Sequence, residues 1–237
     1  MRVLNYLVSN IRDILGLIVK VCVVVLASLG LFYMDQLTQE GTTFLYFTNQ
    51  SNLAIAILCG LEIVFVILEM VTKKRYFPLV HNIVKLVITV AIALTGLIFM
   101  TVLLPTSPDP FKIHNVLTHM VVPLLGIIDF FLSYETSKPL KKWMPLFSCI
   151  PPLYYLVFAS IGYVNHWDFG GGNNYPYPFL SWGSSVGAFG FGGPGIYFMG
   201  SFYWILLLLA IVLFLSYLFY ALSFLIFKPH SKVLKKE

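Results

Sequence analysis

Long apolar stretches alternate with short polar connections along this 237-residue chain. A helix needs about 20 mostly apolar residues to cross the roughly 30 Å hydrocarbon core of a membrane. Stretches of that length lie at about 14–34, 50–71, 83–104, 114–134, 144–164 and 199–227. The pattern predicts an all-α integral membrane protein, in which residues 1–237 form a single domain, a bundle of about six transmembrane helices.

Prolines predict an irregularity in the fifth stretch. Pro145, Pro151 and Pro152 fall within 144–164, and proline removes a backbone N–H and disrupts the interior of a helix. We therefore expect this helix to kink or to begin late. The sixth stretch is longer than a bilayer requires, so we expect it to tilt or to extend beyond the membrane.

Composition and charge agree with this class and orient the chain. The sequence is 59% hydrophobic and 11% charged, whereas soluble domains are about one quarter charged. Twelve basic residues lie near the termini and in the second and fourth connections, while the opposite connections contain only Lys112. Because basic residues that flank membrane helices are enriched on the cytoplasmic side, we expect both termini to be cytoplasmic and the protein to lie in the cell membrane. Basic clusters separated by apolar stretches do not favour nucleic-acid binding.

Neutral polar residues and histidines gather at the non-cytoplasmic ends of the second and fourth stretches. The segment Thr48–Asn52 is polar throughout and leads into an apolar helix, where such residues either cap the helix or perform chemistry. His119 lies four residues after Asn115, which places both on one face of a helix. An ionisable group about 9 Å inside a span is either functional or a neutral, hydrogen-bonded packing residue.

The charged residues within the apolar stretches include two acids and two lysines that lie well away from the non-cytoplasmic polar residues. Glu62 and Asp129 lie nearer the cytoplasmic half, and Lys20 and Lys85 lie near cytoplasmic helix ends. The long lysine side chains are expected to extend towards the membrane surface. One of the acids is expected to pair with a lysine and lock two helices together, with a proton relay as the alternative.

The long outer loop, about 165–198, is rich in glycine and aromatic residues. Its Tyr175, Tyr177 and Phe179 suit an interfacial belt or a lid over a substrate site. The GFGGPG run at 190–195 lacks the Lys and Ser or Thr of a phosphate-binding loop. The three cysteines show no metal-ligand spacing, so we expect neither a metal nor a cofactor.

Three segments, taken in order, resemble the androgen-induced, FAR-17a-like family of multi-pass membrane proteins. They are Phe47–Asn52, then Asn115–His119 leading to Pro123, then Tyr177–Leu180. The resemblance covers most of the six-helix region and is closest to bacterial members. It implies a hydrolase that uses a threonine and a histidine within the membrane to cleave fatty-acyl esters, with membrane lipids as its partners and substrates.

The resemblance also assigns roles to individual residues. It makes Thr48 the nucleophile and His119 the base, although an alignment on the neighbouring Phe residues places Tyr46 at the nucleophile position. Threonine needs such a base because its hydroxyl is a weak nucleophile.

Three asparagines complete the expected hydrolase site. Asn115 is expected to orient the imidazole of His119. Asn49 and Asn52 are expected to stabilise an oxyanion.

Two other classes of function remain open. The same polar residues suit a binding protein or transporter with an outward-facing cavity. They also suit a scaffold in which polar side chains cap and join helices. No inverted repeat or pair of broken helices favours a secondary transporter.

Overall fold

The computed structural model describes residues 2–37, 42–72, 79–107, 109–134 and 139–226, and it is helical with no β-strand in these ranges. Many of the predicted cytoplasmic basic residues lie outside the described residues: Lys73, Lys74, Arg75, Lys138, Lys228, Lys232, Lys235 and Lys236. Residue 227, the predicted end of the sixth stretch, also lies outside them.

Within the described residues, six helices are long and apolar enough to cross a membrane, as predicted, and we call them spans one to six. They run Ile11–Met34, Phe47–Glu69, His81–Thr106, Ile113–Ser133, Met144–Val164 and Ser201–Ile226. The first helix begins earlier than its apolar stretch and covers Arg2–Leu37, while the second covers Phe47–Thr72.

Consecutive spans run in opposite directions, which defines two ends of the bundle. Gly30 of span one lies against Thr118 of span four at one end, and Lys20 contacts Asp129 towards the other. The end that carries the loop at 165–200 is called the loop end below. The opposite end, where spans one and six approach the chain termini, is called the termini end.

Spans three and four each contain a π-helical segment near the loop end. Span three is α-helical over Leu79–Ile98, π-helical over Phe99–Leu103 and 3₁₀-helical over Leu104–Thr106. Span four is α-helical over Ile113–Val116, π-helical over Leu117–Val121 and α-helical over Val122–Ser133. A proline lies just beyond each π segment, at positions 105 and 123. Proline has no N–H, so a carbonyl in the preceding turn loses its usual donor. A π turn changes which N–H groups pair with which carbonyls at this point.

The prolines of span five have the predicted effect. Its first part, Met144–Cys149, is a 3₁₀ helix, and the α-helix begins late, at Ile150, and ends at Val164. Ser148 in the 3₁₀ segment hydrogen-bonds Ser216 of span six at 2.8 Å, and Ser216 also donates to the carbonyl of Pro145. Span six is α-helical over Ser201–Ile226.

Span three lies at the centre of the bundle. Two thirds of its apolar window is buried (67%), compared with 17% for span six. The apolar surface that remains exposed on the peripheral spans is what a helix bundle presents to lipid. Gly96 permits the close approach of span four, because a Cβ there would come within 3.0 Å of the His119 carbonyl and of Pro123.

Candidate functional site

Buried, uncharged polar residues collect at the loop end of spans two, three and four. We call this group the neutral polar cluster: Thr48, Asn49, Ser51, Asn52, Thr95, Thr118 and His119. The structure thus brings together the polar starts of spans two and four, as the sequence predicts, and adds Thr95 from the central span. The ring of His119 is buried, as expected for an ionisable group within a span.

Asn52 satisfies a carbonyl that Pro123 leaves without its usual partner. Because proline has no N–H, the carbonyl of Thr118, five residues before Pro123, lacks the donor that π-helical pairing would supply. The Nδ2 of Asn52 donates to the Thr118 carbonyl at 3.0 Å and to the Thr48 carbonyl at 2.8 Å. Asn52 therefore joins spans two and four, and both hydrogens of its amide are engaged.

Asn49 and Ser51 are also engaged with the backbone. Asn49 Nδ2 donates to the Thr43 carbonyl at 2.6 Å, which fixes the 3₁₀ turn Thr43–Leu45 before span two. Ser51 Oγ contacts the Thr48 carbonyl and the Thr95 hydroxyl, both at 2.9 Å. The Asn52 amide thus donates to two carbonyls, and Asn49 directs its amide to the backbone.

Thr48 lines an apolar cleft bounded by spans two, three, five and six. The cleft contains about 680 Å³ of empty space, including its open mouth. Pro152, Leu153 and Leu156 form its span-five side, and Ile205, Leu208 and Leu209 form its span-six side. Thr48 supplies one of the few hydroxyl groups on otherwise apolar walls, so the cleft suits a hydrocarbon chain whose polar group contacts Thr48.

Tyr177 is the polar partner of Thr48. Its hydroxyl lies 3.4 Å from Thr48 Oγ1 and accepts a hydrogen bond of 3.3 Å from the Thr48 backbone N–H. Its ring stacks on Phe179 at 5.2 Å and lies 6.1 Å from Tyr155, and all three rings line the cleft. Burial raises the pKa of Tyr177 to about 12, so its phenol is protonated at neutral pH and is available as a hydrogen-bond donor.

Of the three aromatic residues expected to form a lid, two line the cleft and one does not. Tyr177 and Phe179 form part of its wall, whereas Tyr175 is partly buried outside its lining. Tyr155 also lines it and donates to the Leu45 carbonyl at 2.9 Å. Sequence reasoning missed Tyr155, because a tyrosine in an apolar helix carries no local signal of a site.

The ring of His119 packs against the central span. Its ring stacks face to face on the ring of Phe99, with centroids 4.1 Å apart and an interplanar angle of 4°. This contact joins the π segment of span four to that of span three. Its Nδ1 is buried and has no hydrogen-bond partner among the described residues. The hydroxyl of Thr48 contacts Tyr177, and His119 is absent from the lining of the cleft.

Asn115 does not orient the imidazole in this geometry. Its Nδ2 donates to the Asp109 carbonyl at 3.0 Å, at the edge of the bundle. The π segment that begins at Leu117 lies between Asn115 and His119. Its hydrogen bonds span five residues rather than four.

Tyr46, the alternative nucleophile position, is directed to the loop. Its hydroxyl donates to the Phe169 carbonyl, and its ring lies 5.9 Å from Tyr177. Burial and the nearby carboxylate of Asp168 raise the pKa of Tyr46, which keeps it protonated. Thr48 lines the cleft and Tyr46 does not.

A second polar region lies in the termini-end half of the bundle and consists of four buried charges, one from each of spans one to four. We call Lys20, Glu62, Lys85 and Asp129 the charge network. Lys85 Nζ lies 2.5 Å from Glu62 and 2.6 Å from Asp129. Lys20 Nζ lies 2.7 Å from Asp129 and 3.3 Å from Glu62.

The predicted acid–lysine pairing is confirmed and is more extensive than expected. Both acids contact both lysines, so all four spans are joined. The expected extension of the lysines to the membrane surface is wrong, because Lys20 is 4% exposed and Lys85 is 1% exposed. The paired carboxylates retain them inside, since a buried charge requires a compensating partner.

The charge network also contains the one cation-binding geometry found among the described residues. Ligand atoms of Cys59, Glu62 and Asp129 lie within 4.8 Å of one another. Both carboxylates are already neutralised by lysine ammonium groups, which hold the positive charge that a metal would supply.

An apolar layer separates the two polar regions. Val23, Ile55, Ile92 and Val122 are completely buried and pack together. On span two, Ile55 follows Asn52 and precedes Glu62, so the layer lies between the neutral polar cluster and the charge network. No protein-family profile matches this chain, and no curated protein and no solved structure is detectably similar to it.

Proposed function

We propose that this protein is a multi-pass membrane protein that binds the fatty-acyl chain of a membrane lipid in the cleft beside Thr48. The observation that carries the proposal is the position of the Thr48 hydroxyl on the wall of a largely apolar cleft. The cleft is bordered by spans five and six, so a lipid reaches it sideways from the bilayer. The acyl chain lies against the leucine side chains, and the lipid's polar group contacts Thr48 and Tyr177.

The orientation in the cell membrane follows from charge. The basic residues cluster at the termini end, and Lys112 lies at the loop end. With the positive-inside bias, both termini are cytoplasmic and the cleft opens in the outer half of the bilayer. A membrane-impermeant thiol reagent added to intact cells should label a cysteine at Lys112; labelling only after lysis would reverse the orientation.

Photocrosslinking with a diazirine-labelled fatty acid tests lipid binding. Leu208→Trp fills the cleft, whereas Leu207→Trp alters a neighbouring side chain that is 41% exposed and does not line it. We expect crosslinking to the wild type and to Leu207→Trp and its loss in Leu208→Trp. Equal crosslinking of the two variants would contradict binding in this cleft.

Hydrolysis of a lipid ester is the second candidate, favoured by the paired hydroxyls of Thr48 and Tyr177 in the cleft and by the family resemblance. Thr48 Oγ attacks the ester carbonyl and forms an acyl-threonine, and its proton passes to His119 through a water or after a ring movement. His119 returns the proton to the departing alkoxide, and water then hydrolyses the acyl-threonine. The protonated phenol of Tyr177 donates to the oxyanion.

Ester cleavage by the purified protein separates the two candidates. General base catalysis contributes about 10²–10⁴-fold, so we expect losses of that size in Thr48→Val and His119→Gln. Thr101→Val changes an exposed hydroxyl on span three that does not line the cleft and should retain cleavage. Full activity in Thr48→Val would exclude the hydrolase, and lipid crosslinking without cleavage in the wild type would leave binding as the function.

A further inference from the structure

The chain contains no acidic or basic residue and no histidine between Asp168 and Lys228. Span six accounts for part of this interval, but the loop residues 169–200 are equally free of charge. Loops that face water normally carry charged side chains, because these are the residues most often exposed in proteins. The composition of this loop is that of a segment outside bulk water.

The second half of the loop folds back on the start of span six. Residues 186–200 form a compact turn, here called the aromatic hairpin, in which Gly192 donates to the Phe198 carbonyl at 2.8 Å and Gly200 donates to the Gly190 carbonyl at 2.9 Å. Some of its glycines are required by close backbone packing and others by a positive φ. A Cβ at Gly190 or Gly200 would collide with a backbone carbonyl. Glycine is therefore explained here by the fold of the loop, and no phosphate-binding role is needed to explain it.

The aromatic hairpin also satisfies the first turn of span six. The N–H groups at the start of a helix have no partner within the helix. Here the Phe202 N–H donates to the Ala188 carbonyl at 3.1 Å, and the Ser201 N–H donates to the Gly187 carbonyl at 3.4 Å. A helix start satisfied by backbone carbonyls needs no water, and this is the condition that a lipid environment imposes.

Three phenylalanine rings point outward from the aromatic hairpin. Phe189 is 67% exposed, Phe191 is 62% exposed and Phe198 is 49% exposed. The Phe189 ring contacts Phe202 at 5.0 Å and the Phe191 ring contacts Tyr203 at 4.6 Å, both in the first turn of span six. The exposed rings are thus continuous with the apolar outer surface of that span.

We infer that the aromatic hairpin is immersed in the bilayer interface at the loop end, with these three rings at the boundary between headgroups and acyl chains. The inference rests on the proposed membrane placement of the spans. Aromatic residues favour this boundary, and a segment without charge meets no desolvation penalty there. Since Tyr177–Leu180 precede the hairpin and line the cleft, the membrane itself holds one wall of the lipid site in place.

Spin-label accessibility tests the inference on the full chain in phosphatidylcholine liposomes. Single cysteines replace Phe189, Phe191 or Phe198 in a protein whose Cys22, Cys59 and Cys149 are changed to alanine, and each is labelled with a nitroxide. Cysteines at Phe214, a 67% exposed position within span six, and at Lys112, a 53% exposed side chain, serve as the lipid and water references. Collisions with oxygen report lipid, and collisions with a water-soluble nickel complex report water.

We expect all three hairpin positions to lie between Phe214 and Lys112 or close to Phe214, with clearly higher oxygen and lower nickel accessibility than Lys112. Nickel accessibility equal to that at Lys112 would overturn the inference while leaving the six spans in place. Low accessibility to both reagents would indicate contact with another protein or a second copy and would also overturn it. High nickel accessibility at Phe214 would refute the membrane placement and the inference with it.

Discussion

The two polar regions of the bundle solve the problem of buried polarity in different ways. The charge network places two positive and two negative groups in mutual contact. The neutral polar cluster uses Asn52 and Ser51 to satisfy the backbone around an irregular helix, and it retains unpartnered atoms on Asn49, Asn52 and His119. Among the described residues, the charge network leaves one such atom, Glu62 Oε1, so most of the capacity for new hydrogen bonds lies at the loop end, next to the cleft.

The largest effect is expected from Lys85→Met in the charge network. Removing one partner of a buried ion pair leaves an uncompensated charge and costs about 3–5 kcal/mol. Unfolding by sodium dodecyl sulfate titration measures the loss. The double variant Lys85→Met with Glu62→Gln leaves Lys20 paired with Asp129 and should recover part of the stability.

Lys112→Met is the matched control for that substitution. Lys112 pairs with Asp109 at 2.8 Å, but both side chains are more than half exposed, and such pairs contribute about 0–1 kcal/mol. Similar losses in Lys85→Met and Lys112→Met would mean that the four charges are solvated, and the contrast between the two polar regions would not hold.

A smaller loss is expected from Asn52→Leu in the neutral polar cluster. The substitution leaves the buried carbonyl of Thr118 without a donor, which costs about 1–3 kcal/mol. The same unfolding titration measures it, with Asn115→Leu as a control at the bundle edge. A loss in Asn115→Leu as large as that in Asn52→Leu would remove the special role assigned to the carbonyls before Pro123.

The smallest effect is expected from Thr95→Val, which removes one hydroxyl from a neutral hydrogen bond with Ser51. The expected loss is about 0.5–1.5 kcal/mol. Thr101→Val is its control on the same span, because Thr101 donates only to the Leu97 carbonyl and is exposed. If Thr95→Val were as destabilising as Lys85→Met, charge would not distinguish the two regions.

The six spans could be predicted because hydrophobic length is a property of consecutive residues. The late start of span five could be predicted for the same reason, since proline acts on its own helix. Contacts between spans could be predicted only in outline. Nothing in the sequence indicates that both lysines meet both acids, because lysine side chains are long enough either to reach the membrane surface or to turn inward.

The candidate site was predicted in its location and missed in its geometry. Thr48, Asn52 and His119 lie at the loop end as expected, because each begins or follows an apolar stretch. The expected contact between Asn115 and the imidazole of His119 is replaced by a hydrogen bond from Asn115 to the Asp109 carbonyl. The pairing of Thr48 with Tyr177 depends on how a long loop folds back, which local sequence patterns do not encode.

The charge network has a consequence for how the chain is made. Along the sequence its members alternate in sign, in the order Lys20, Glu62, Lys85 and Asp129. Each of the first two pairs of consecutive spans therefore carries one positive and one negative group, and the contacts between Lys20 and Glu62 and between Lys85 and Asp129 lie within those pairs. Two consecutive spans inserted together would thus bring a buried charge and its counter-charge into a bilayer at the same time, whereas any of these four spans inserted alone would bring an unpaired charge.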